Sequence, residues 1–198
     1  FRDVRDFSQG LAAARKDTGW GYIDRTARFI IPPRFAAAQD FSEELAGVKQ
    51  GARFGYINKS GAFVLAPQFP GAGSFSEGLA LVNMGGLVGG KWGYIDKTGA
   101  YVIRPQYDFA YGFQEGLAAY LDGRKSGFIN QKGKLIMEPT FVSCGEISEG
   151  VIAVEGEDKW GYVNKKGKYV IKPQFEKAWS YADGLAAVKI GRKWGFIE

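Results

Sequence analysis

The sequence contains no histidine and a single cysteine, Cys144. Histidine is the commonest general base and metal ligand, so its absence removes the usual partner of a nucleophilic serine or cysteine. One cysteine excludes a disulfide within the chain. No stretch approaches the roughly 18 consecutive apolar residues of a membrane-spanning helix. We therefore expect neither an enzyme, nor a metal or cofactor site, nor a membrane-spanning protein.

The remaining composition is that of a folded protein. Apolar residues make up 45% of the chain, aromatic residues 15% and charged residues 24%, which is typical of globular rather than disordered proteins. The formal net charge of +5 is compatible with an anionic partner but does not require one.

Two short motifs recur along the whole chain. The first, of the type Phe-Ser-Glu-Gly-Leu-Ala, returns at intervals of 34, 34, 38, 34 and 34 residues, with copies that begin at Phe7, Phe41, Phe75, Phe113, Ile147 and Tyr181. The second, of the type Trp-Gly-Tyr-Ile-Asp, begins at Trp20, Phe54, Trp92, Ser126, Trp160 and Trp194. A fixed period of this length is typical of a repeat array. The predicted divisions of this single array are a partial end at 1–6, repeats at 7–40, 41–74, 75–112, 113–146 and 147–180, and a partial repeat at 181–198.

Each unit is predicted to be a meander of three short strands. The second and third strands are separated by turns such as Asn58-Lys59-Ser60-Gly61, whose first and last residues suit a type I turn closed by a left-handed residue. Ala27 replaces that glycine in the first unit, which should cost about 1 kcal/mol. A proline, as at position 173, is expected to end the third strand because it cannot donate a hydrogen bond to a neighbour. Both strand faces are apolar, so neighbouring units must cover them.

The segment Lys91-Trp92-Gly93-Tyr94-Ile95-Asp96, together with the motifs above, resembles the bacterial WG repeat family, also called KWG repeats. The resemblance covers essentially the whole chain, although Phe54 and Ser126 replace the signature tryptophan. It implies a β-rich array of variable copy number without a shared enzymatic activity, often in exported or envelope proteins. We therefore expect an all-β array, arranged as an open, twisted, solenoid-like stack or, alternatively, as a closed toroid that resembles a β-propeller.

The tryptophans Trp20, Trp92, Trp160 and Trp194 have two interpretations. They could form an aromatic ladder for sugars or peptide side chains. The interpretation that we favour places them in the core, over small residues of the first strand, because large aromatic rings bury the most area in small units.

The turns between the second and third strands are rich in cations. If the units stack in register, one edge of the array carries Arg25, Arg28, Lys59, Lys97, Lys132, Lys134, Lys165, Lys166 and Lys168. Such an edge could attract phosphates, acidic glycans or an acidic protein, or it could simply be a solvated edge that discourages aggregation. Nucleic acid is not the expected partner, because no exposed aromatic residues alternate with these cations.

The third unit has four extra residues, which form a glycine-rich loop between its first two strands. Met84, Leu87 and Val88 lie in this loop, and no phosphate-binding motif is present in it. Loops on a rigid scaffold often carry function, so we predict a contact site here, with a neutral insertion as the alternative.

Two further columns of the repeat are expected to be structural. Cys144 aligns with small apolar residues such as Ala38 and Ala178, which predicts a packing residue rather than a nucleophile. The acidic column is Glu43, Glu77, Glu115, Glu149 and Asp183. Carboxylates one repeat apart cannot form an acid–base pair, so we expect them to make structural hydrogen bonds to nearby backbone N–H groups.

These features favour a non-enzymatic scaffold that binds a protein partner. The alternative is a protein that binds an anionic polymer or glycan along the basic turn edge. A periplasmic or cell-surface location is implied only by the family resemblance.

Overall fold

The computed structural model of the chain describes residues 1–86 and 89–198. These residues form 23 β-strands and no helix. Accordingly, the described part of the chain has no helix with the length and apolar character needed to cross a membrane. The prediction of an all-β protein is confirmed.

The chain divides into two compact units, Phe1–Gln106 and Tyr107–Glu198. The strands of the first unit are β1 (Asp3–Ser8), β2 (Leu11–Lys16), β3 (Gly19–Ile23), β4 (Phe29–Phe35), β5 (Ala37–Ala38), β6 (Ala46–Gln50), β7 (Arg53–Ile57), β8 (Phe63–Phe69), β9 (Gly71–Ser76), β10 (Leu79–Met84), β11 (Lys91–Ile95) and β12 (Tyr101–Tyr107), whose last residue belongs to the second unit. The strands of the second unit are β13 (Phe109–Ala110), β14 (Leu117–Asp122), β15 (Lys125–Asn130), β16 (Leu135–Phe141), β17 (Ser143–Ser148), β18 (Val151–Glu155), β19 (Trp160–Asn164), β20 (Tyr169–Phe175), β21 (Lys177–Ala178), β22 (Ala186–Ile190) and β23 (Lys193–Ile197).

The strands form six small antiparallel sheets in which neighbours in sequence are neighbours in space. They are sheet 1 (β1–β4), sheet 2 (β5–β8), sheet 3 (β9–β12), sheet 4 (β13–β16), sheet 5 (β17–β20) and sheet 6 (β21–β23). The meander order is confirmed, but the prediction of three strands per unit is wrong for sheets 1 to 5, which have four. The missed strand is the first of each sheet, and in sheets 2, 4 and 6 it is only two residues long.

The predicted end of the last strand at its proline is also wrong. In β4 the strand passes through Pro33 and ends at Phe35. The residues Trp20 and Tyr22 of β3 face Phe35 and Ile31, so two steps on β3 correspond to four steps on β4. The proline therefore lies in a β-bulge, where its missing N–H leaves no gap in the ladder.

The turns between the last two strands have the predicted conformation. In sheet 2 the Asn58 side-chain oxygen accepts hydrogen bonds from the backbone N–H groups of Ser60 and Ala62, and Gly61 has a φ of +81°. Ala27 adopts the same left-handed conformation, with a φ of +61°. Ala27 therefore has the left-handed backbone conformation for which the strain was predicted.

The hydrophobic core lies in layers between successive sheets of each unit. One layer joins Tyr22 and Ile31 of sheet 1 to Val48 and Ile57 of sheet 2. The opposite face of sheet 2, which includes Tyr56, packs against sheet 3. Further layers of aliphatic and aromatic side chains join sheet 4 to sheet 5 and sheet 5 to sheet 6. The middle sheets of the two units, sheet 2 and sheet 5, thus have both apolar faces covered by neighbours, as the sequence predicts.

Candidate interaction surfaces

The tryptophan column does not have one uniform environment. Trp20 and Trp160 are buried, with 9% and 8% of their surfaces exposed, whereas Trp92 is half-buried and Trp194 is 53% exposed. Trp20 and Trp160 lie in core layers, so the predicted core role holds for these two rings. Trp194 lies on β23, which has no fourth strand beside it. The tryptophans therefore do not form a continuous exposed ladder.

The fully buried aromatic column is the one two residues further along the same strand. Tyr22, Tyr56, Tyr94, Phe128 and Tyr162 all have none of their surface exposed. The hydroxyl groups reach into the next sheet: Tyr22 donates to the Gln39 carbonyl at 2.6 Å and Tyr56 to the Gly73 carbonyl at 2.7 Å. Sequence analysis missed this column, although a Tyr or Phe follows every Trp-Gly or its variant.

Burial makes these tyrosines poor acids. Loss of hydration raises the pKa of Tyr22 and Tyr56 well above the usual range, and it raises the pKa of Tyr162 to about 12. The Tyr162 hydroxyl donates to the Trp179 carbonyl at 2.8 Å. Each group is therefore a protonated donor that ties one sheet to the next, not a general base or a nucleophile.

Members of the acidic column bind backbone N–H groups, as predicted, but these groups belong to the next sheet rather than to nearby residues. Both Glu43 carboxylate oxygens, in the first hairpin of sheet 2, lie 3.1 Å from the Gly78 N–H of sheet 3. Glu115 and Glu149 accept in the same way from Gly150 and Gly184. Each acceptor faces a glycine 35 residues further along the chain, so the contact has the period of the repeat.

Several cations of the predicted basic edge bind carboxylates of the protein itself. Lys97 lies 3.1 Å from Glu43, Lys59 lies 2.9 Å from Glu44, and Lys165 lies 3.6 Å from Glu115. Burial raises the pKa of Glu43, but the Gly78 hydrogen bonds and the Lys97 ion pair outweigh it, so its pKa is lowered overall.

The other two lysines of the predicted site are placed differently. Lys132 and Lys166 are exposed in their turns, and their backbone N–H groups bind Asn130 and Asn164. The basic edge therefore combines neutralised lysines with lysines whose side chains extend into solvent.

Met84 lies between two open clefts in the first unit. It ends β10, and 43% of its surface is exposed. One cleft, of about 570 Å³, is lined by Met84 with Lys49, Ala52, Arg53, Pro70, Gly85 and Gly86. The other, of about 540 Å³, is lined by Met84 with Tyr101, Arg104 and Pro105. We call these residues the Met84 surface. The predicted contact residues Leu87 and Val88 lie outside the described residues.

The base of the Met84 surface is held by a buried strand. Leu79 to Asn83 on β10 are all buried, and Asn83 faces Trp92 on β11. Lys49 and Arg53 come from the neighbouring sheet 2, where the Lys49 ammonium lies 5.8 Å from the centre of the Phe54 ring. Sheet 3 thus positions the apolar side chain of Met84, and sheet 2 positions the cationic side chains of Lys49 and Arg53.

The lone cysteine has the character of a packing residue. Cys144 is half-buried and packs against the core layer between sheets 4 and 5. Burial raises the pKa of its thiol, and this disfavours the thiolate that a nucleophile needs. Within residues 1–86 and 89–198, no three Cys, Asp or Glu side chains are grouped as a metal site would require.

Solved structures with low sequence identity share this fold. Kluyveromyces lactis Hsv2p superposes with a TM-score of 0.61 at 13% identity, over 93% of this chain and 75% of that one. A eukaryotic initiation factor superposes with a TM-score of 0.60 at 16% identity, over 94% of this chain and 58% of that one. The similar structures have WD40-like or propeller-like folds. At these identities the similarity concerns the fold alone.

The sequence comparisons identify the repeat itself. No curated protein has a sequence that matches this chain. The sequence model of the WG containing repeat matches five consecutive segments, residues 20–53, 54–87, 92–125, 127–160 and 160–194. The segments begin at or next to the Trp-Gly motif and together cover most of the chain. The chain therefore belongs to the family of proteins built from the WG containing repeat.

Proposed function

We propose that this chain is a non-catalytic binding module, and that the Met84 surface holds a segment of a protein partner. The observation that carries this proposal is the position of Met84, exposed between two clefts that Lys49, Arg53 and Arg104 line. The segment that fits is one with an apolar side chain flanked by acidic residues.

The chemistry of the Met84 surface supports such a partner. Methionine is flexible and polarisable, so it adapts to apolar side chains of different shapes. The described lining residues of the two clefts include three cations and no acidic side chain. Cations around an apolar centre favour acidic partners and exclude basic ones.

The chemistry of the described side chains supports a non-catalytic role. The tyrosines of the core donate hydrogen bonds, and burial raises their pKa. The carboxylates of the acidic column bind glycine N–H groups or lysines. With no histidine in the sequence, none of these groups has the usual partner of a nucleophile.

Selection of peptides tests this proposal. A random twelve-residue peptide library is panned on the immobilised protein, and bound peptides are measured by fluorescence anisotropy against the wild type and Met84→Glu, Arg53→Glu and Arg104→Glu variants. We expect enriched peptides with an apolar residue between acidic ones, and affinities about tenfold weaker for each variant. Lys166→Glu, an exposed lysine of the second unit, is the matched control and should not change the affinity. Enrichment without acidic residues, or equal binding to Met84→Glu, would contradict the proposal.

The second candidate is binding of an anionic polymer along the basic turn edge. The exposed side chains of Lys132 and Lys166 support it, whereas the ion pairs of Lys59, Lys97 and Lys165 reduce the positive charge that the edge can offer. If the protein binds anionic polymers, we expect a heparin resin to retain it at low salt and to release it at higher salt, because salt screens the charges. A protein that passes through the resin at low salt does not have it.

We further propose that the six sheets close into a propeller-like toroid rather than an open stack. The propeller-like folds of the similar structures and the four-stranded antiparallel sheets support closure. Spin labels on sheets 1 and 6 of a Cys144→Ala variant provide the test. Sheets that stack about 10 Å apart would place the two labels roughly 50 Å apart in an open array, and a clearly shorter distance is expected for a toroid.

A further inference from the structure

The turns that precede β16 and β20 in the second unit carry positive charge only. Residues 130–134 and 164–168 contain five lysines and no acidic residue. The corresponding turns of sheets 1 and 3 begin with Asp24 and Asp96 where these two turns have asparagine. An acidic residue within a turn reduces its positive charge, so the turns of sheets 4 and 5 attract anions more strongly.

Four of the five lysines have no acidic partner within the protein. Lys165 lies 3.6 Å from Glu115. Within residues 1–86 and 89–198, no carboxylate forms an ion pair with the other four, Lys132, Lys134, Lys166 and Lys168. All four residues are exposed. Their charges therefore act on the solvent side of the protein.

The strands that follow these turns begin with exposed aliphatic side chains. Leu135, the first residue of β16, is 39% exposed, and Val170, the second residue of β20, is 54% exposed. The exposure of Val170 is a property of the repeat, because Val64 has the same position in sheet 2 and is 46% exposed although the complete sheet 3 follows. Sheet 4, which contains Leu135, is likewise followed by the complete sheet 5. Aliphatic groups of this kind gain free energy when an apolar phase covers them.

The packing of sheet 5 on sheet 4 joins the two turns and the aliphatic side chains into one surface. A Cβ atom at Gly167 would lie 2.9 Å from Met137 Cγ and 4.0 Å from the Ile136 carbonyl oxygen. The turn of sheet 5 therefore lies against β16 directly after Leu135. We call the following residues the Val170 surface: Lys132, Lys134, Leu135, Lys166, Lys168 and Val170.

An anionic bilayer matches the Val170 surface better than a polymer in water does. Anionic headgroups attract lysines that lie near the membrane surface, and apolar side chains enter the boundary between headgroups and acyl chains. A hydrophilic polyanion would neutralise the lysines but leave Leu135 and Val170 in water. Tyr169, which is 40% exposed beside Val170, has the amphipathic ring that is enriched at membrane–water interfaces.

We propose that the Val170 surface binds the anionic surface of a lipid bilayer. The four unpaired lysines contact the headgroups, and Leu135 and Val170 enter the headgroup layer without crossing the membrane. This proposal deepens the second candidate function, because it names lipid as the anion that the basic turn edge binds, and it does not depend on the Met84 surface. The turns of the first unit contribute less, because Glu44 and Glu43 already neutralise Lys59 and Lys97.

Co-sedimentation of the whole chain with sucrose-loaded vesicles at low salt tests this proposal. The vesicles consist of phosphatidylcholine alone or of phosphatidylcholine with about 30% phosphatidylglycerol. We expect at least about tenfold stronger partition into the anionic vesicles, and weaker partition as salt rises. The double variant Lys166→Gln, Lys168→Gln should lose about 25-fold, at about fivefold for each lysine. Equal partition into both vesicles, no partition at low salt, or an unaffected double variant overturns the proposal.

Val170→Ser distinguishes a bilayer from a polymer, because it removes aliphatic surface without a change of charge. Partition into the anionic vesicles should fall about threefold, whereas retention on heparin and thermal unfolding should not change. Val64→Ser, the same change at the equivalent exposed position of the first unit, is the matched control and should partition like the wild type. Equal partition of Val170→Ser and the wild type, or an equal loss in Val64→Ser, overturns the proposal. So does retention on heparin without vesicle binding, and that result would leave the polymer as the ligand of the basic edge.

Discussion

Replacement of Gly55 by alanine should damage the fold far more than the same change at Gly195 on β23, where an added Cβ would have no neighbour within 4 Å. Gly55 is buried on β7, and an added Cβ would lie 2.5 Å from the Leu65 carbonyl oxygen, 2.7 Å from the Pro67 nitrogen and 2.9 Å from the Ala66 carbonyl carbon. Ordinary contact begins near 3.4 Å, so the carbonyl oxygen of Leu65 must move by about 0.9 Å. All three atoms are backbone, and no side chain can rotate away to make room.

The size of this effect follows from the strand that must move. A shift of β8 disturbs its ladder with β7 and the core layer that Tyr56 and Leu65 share with sheet 3. Overpacking typically costs about 1–3 kcal/mol, and we expect the upper end, about 3 kcal/mol, because all three contacted atoms are backbone. The melting temperature should then fall by roughly 6–12 °C in a protein of this size. Gly195→Ala should change stability by less than about 0.5 kcal/mol.

Thermal and urea unfolding of the two variants, followed by circular dichroism, measures this contrast. If Gly55→Ala unfolds within about 0.5 kcal/mol of Gly195→Ala, the close approach of the two strands is not a constraint, and the argument for the role of this glycine is refuted.

Three further changes test contacts between and within the sheets. Ala27→Gly relieves the left-handed backbone at Ala27 and should stabilise the protein by about 0.5–1 kcal/mol in urea unfolding; no gain would mean that the turn holds no strain. Tyr56→Phe removes the hydroxyl that donates to the Gly73 carbonyl, and the free energy of unfolding should fall by about 1 kcal/mol while circular dichroism still shows the native fold. An unchanged free energy of unfolding would mean that another donor binds that carbonyl. Glu43→Gln should cost about 1 kcal/mol at neutral pH, because the ionised Glu43 carboxylate makes stronger contacts than a neutral amide. The pKa of Glu43 is lowered in the folded protein, so its contribution to stability is complete at a pH above the ordinary pKa of 4.5 and is lost as the pH falls through the lowered pKa. The difference from the wild type should therefore disappear in acid, and a constant difference would contradict the assignment.

The sequence predicted the features that local chemistry determines. The turn at Asn58-Lys59-Ser60-Gly61 and the strained Ala27 depend on a few adjacent residues, and both have the expected geometry. The burial of both faces of sheets 2 and 5 followed from the apolar residues on each side of the strands. That Glu43 binds a backbone N–H followed from its period, but its partner Gly78 lies in the next sheet and not among the nearby residues that we expected.

The features that were missed depend on neighbours distant in sequence. The first strand of sheet 2, Ala37–Ala38, is too short to produce an alternating pattern, and only its pairing with Val48 and Lys49 defines it as a strand. Proline predicted a strand end, but the glycine on the facing strand allows a bulge instead. Trp194 matches the other tryptophans in sequence, yet it is 53% exposed, whereas Trp160 is buried in a core layer.

The site was predicted less completely than the fold. Met84 could be proposed from the glycine-rich insertion, because length variation in one unit stands out against a fixed period. Lys49 and Arg53 gave no such signal, since they lie about 30 residues away and meet Met84 only through the packing of sheet 2 beside sheet 3. The lysines of the turns were recognisable, but their ion pairs with Glu43, Glu44 and Glu115 required the structure.

The directional contacts between sheets have an evolutionary consequence. Tyr22 and Tyr56 each donate forward to a carbonyl of the following sheet, and Glu43 accepts from the glycine of the following hairpin. Sheets 1 and 2 therefore present the same kind of tyrosine hydroxyl to the sheet that follows each of them in the chain. Duplication of one genetic segment of repeat length would insert a sheet that already matches both flanking sheets, so a gene of this kind can grow or shrink by whole repeats without new mutations at the junctions.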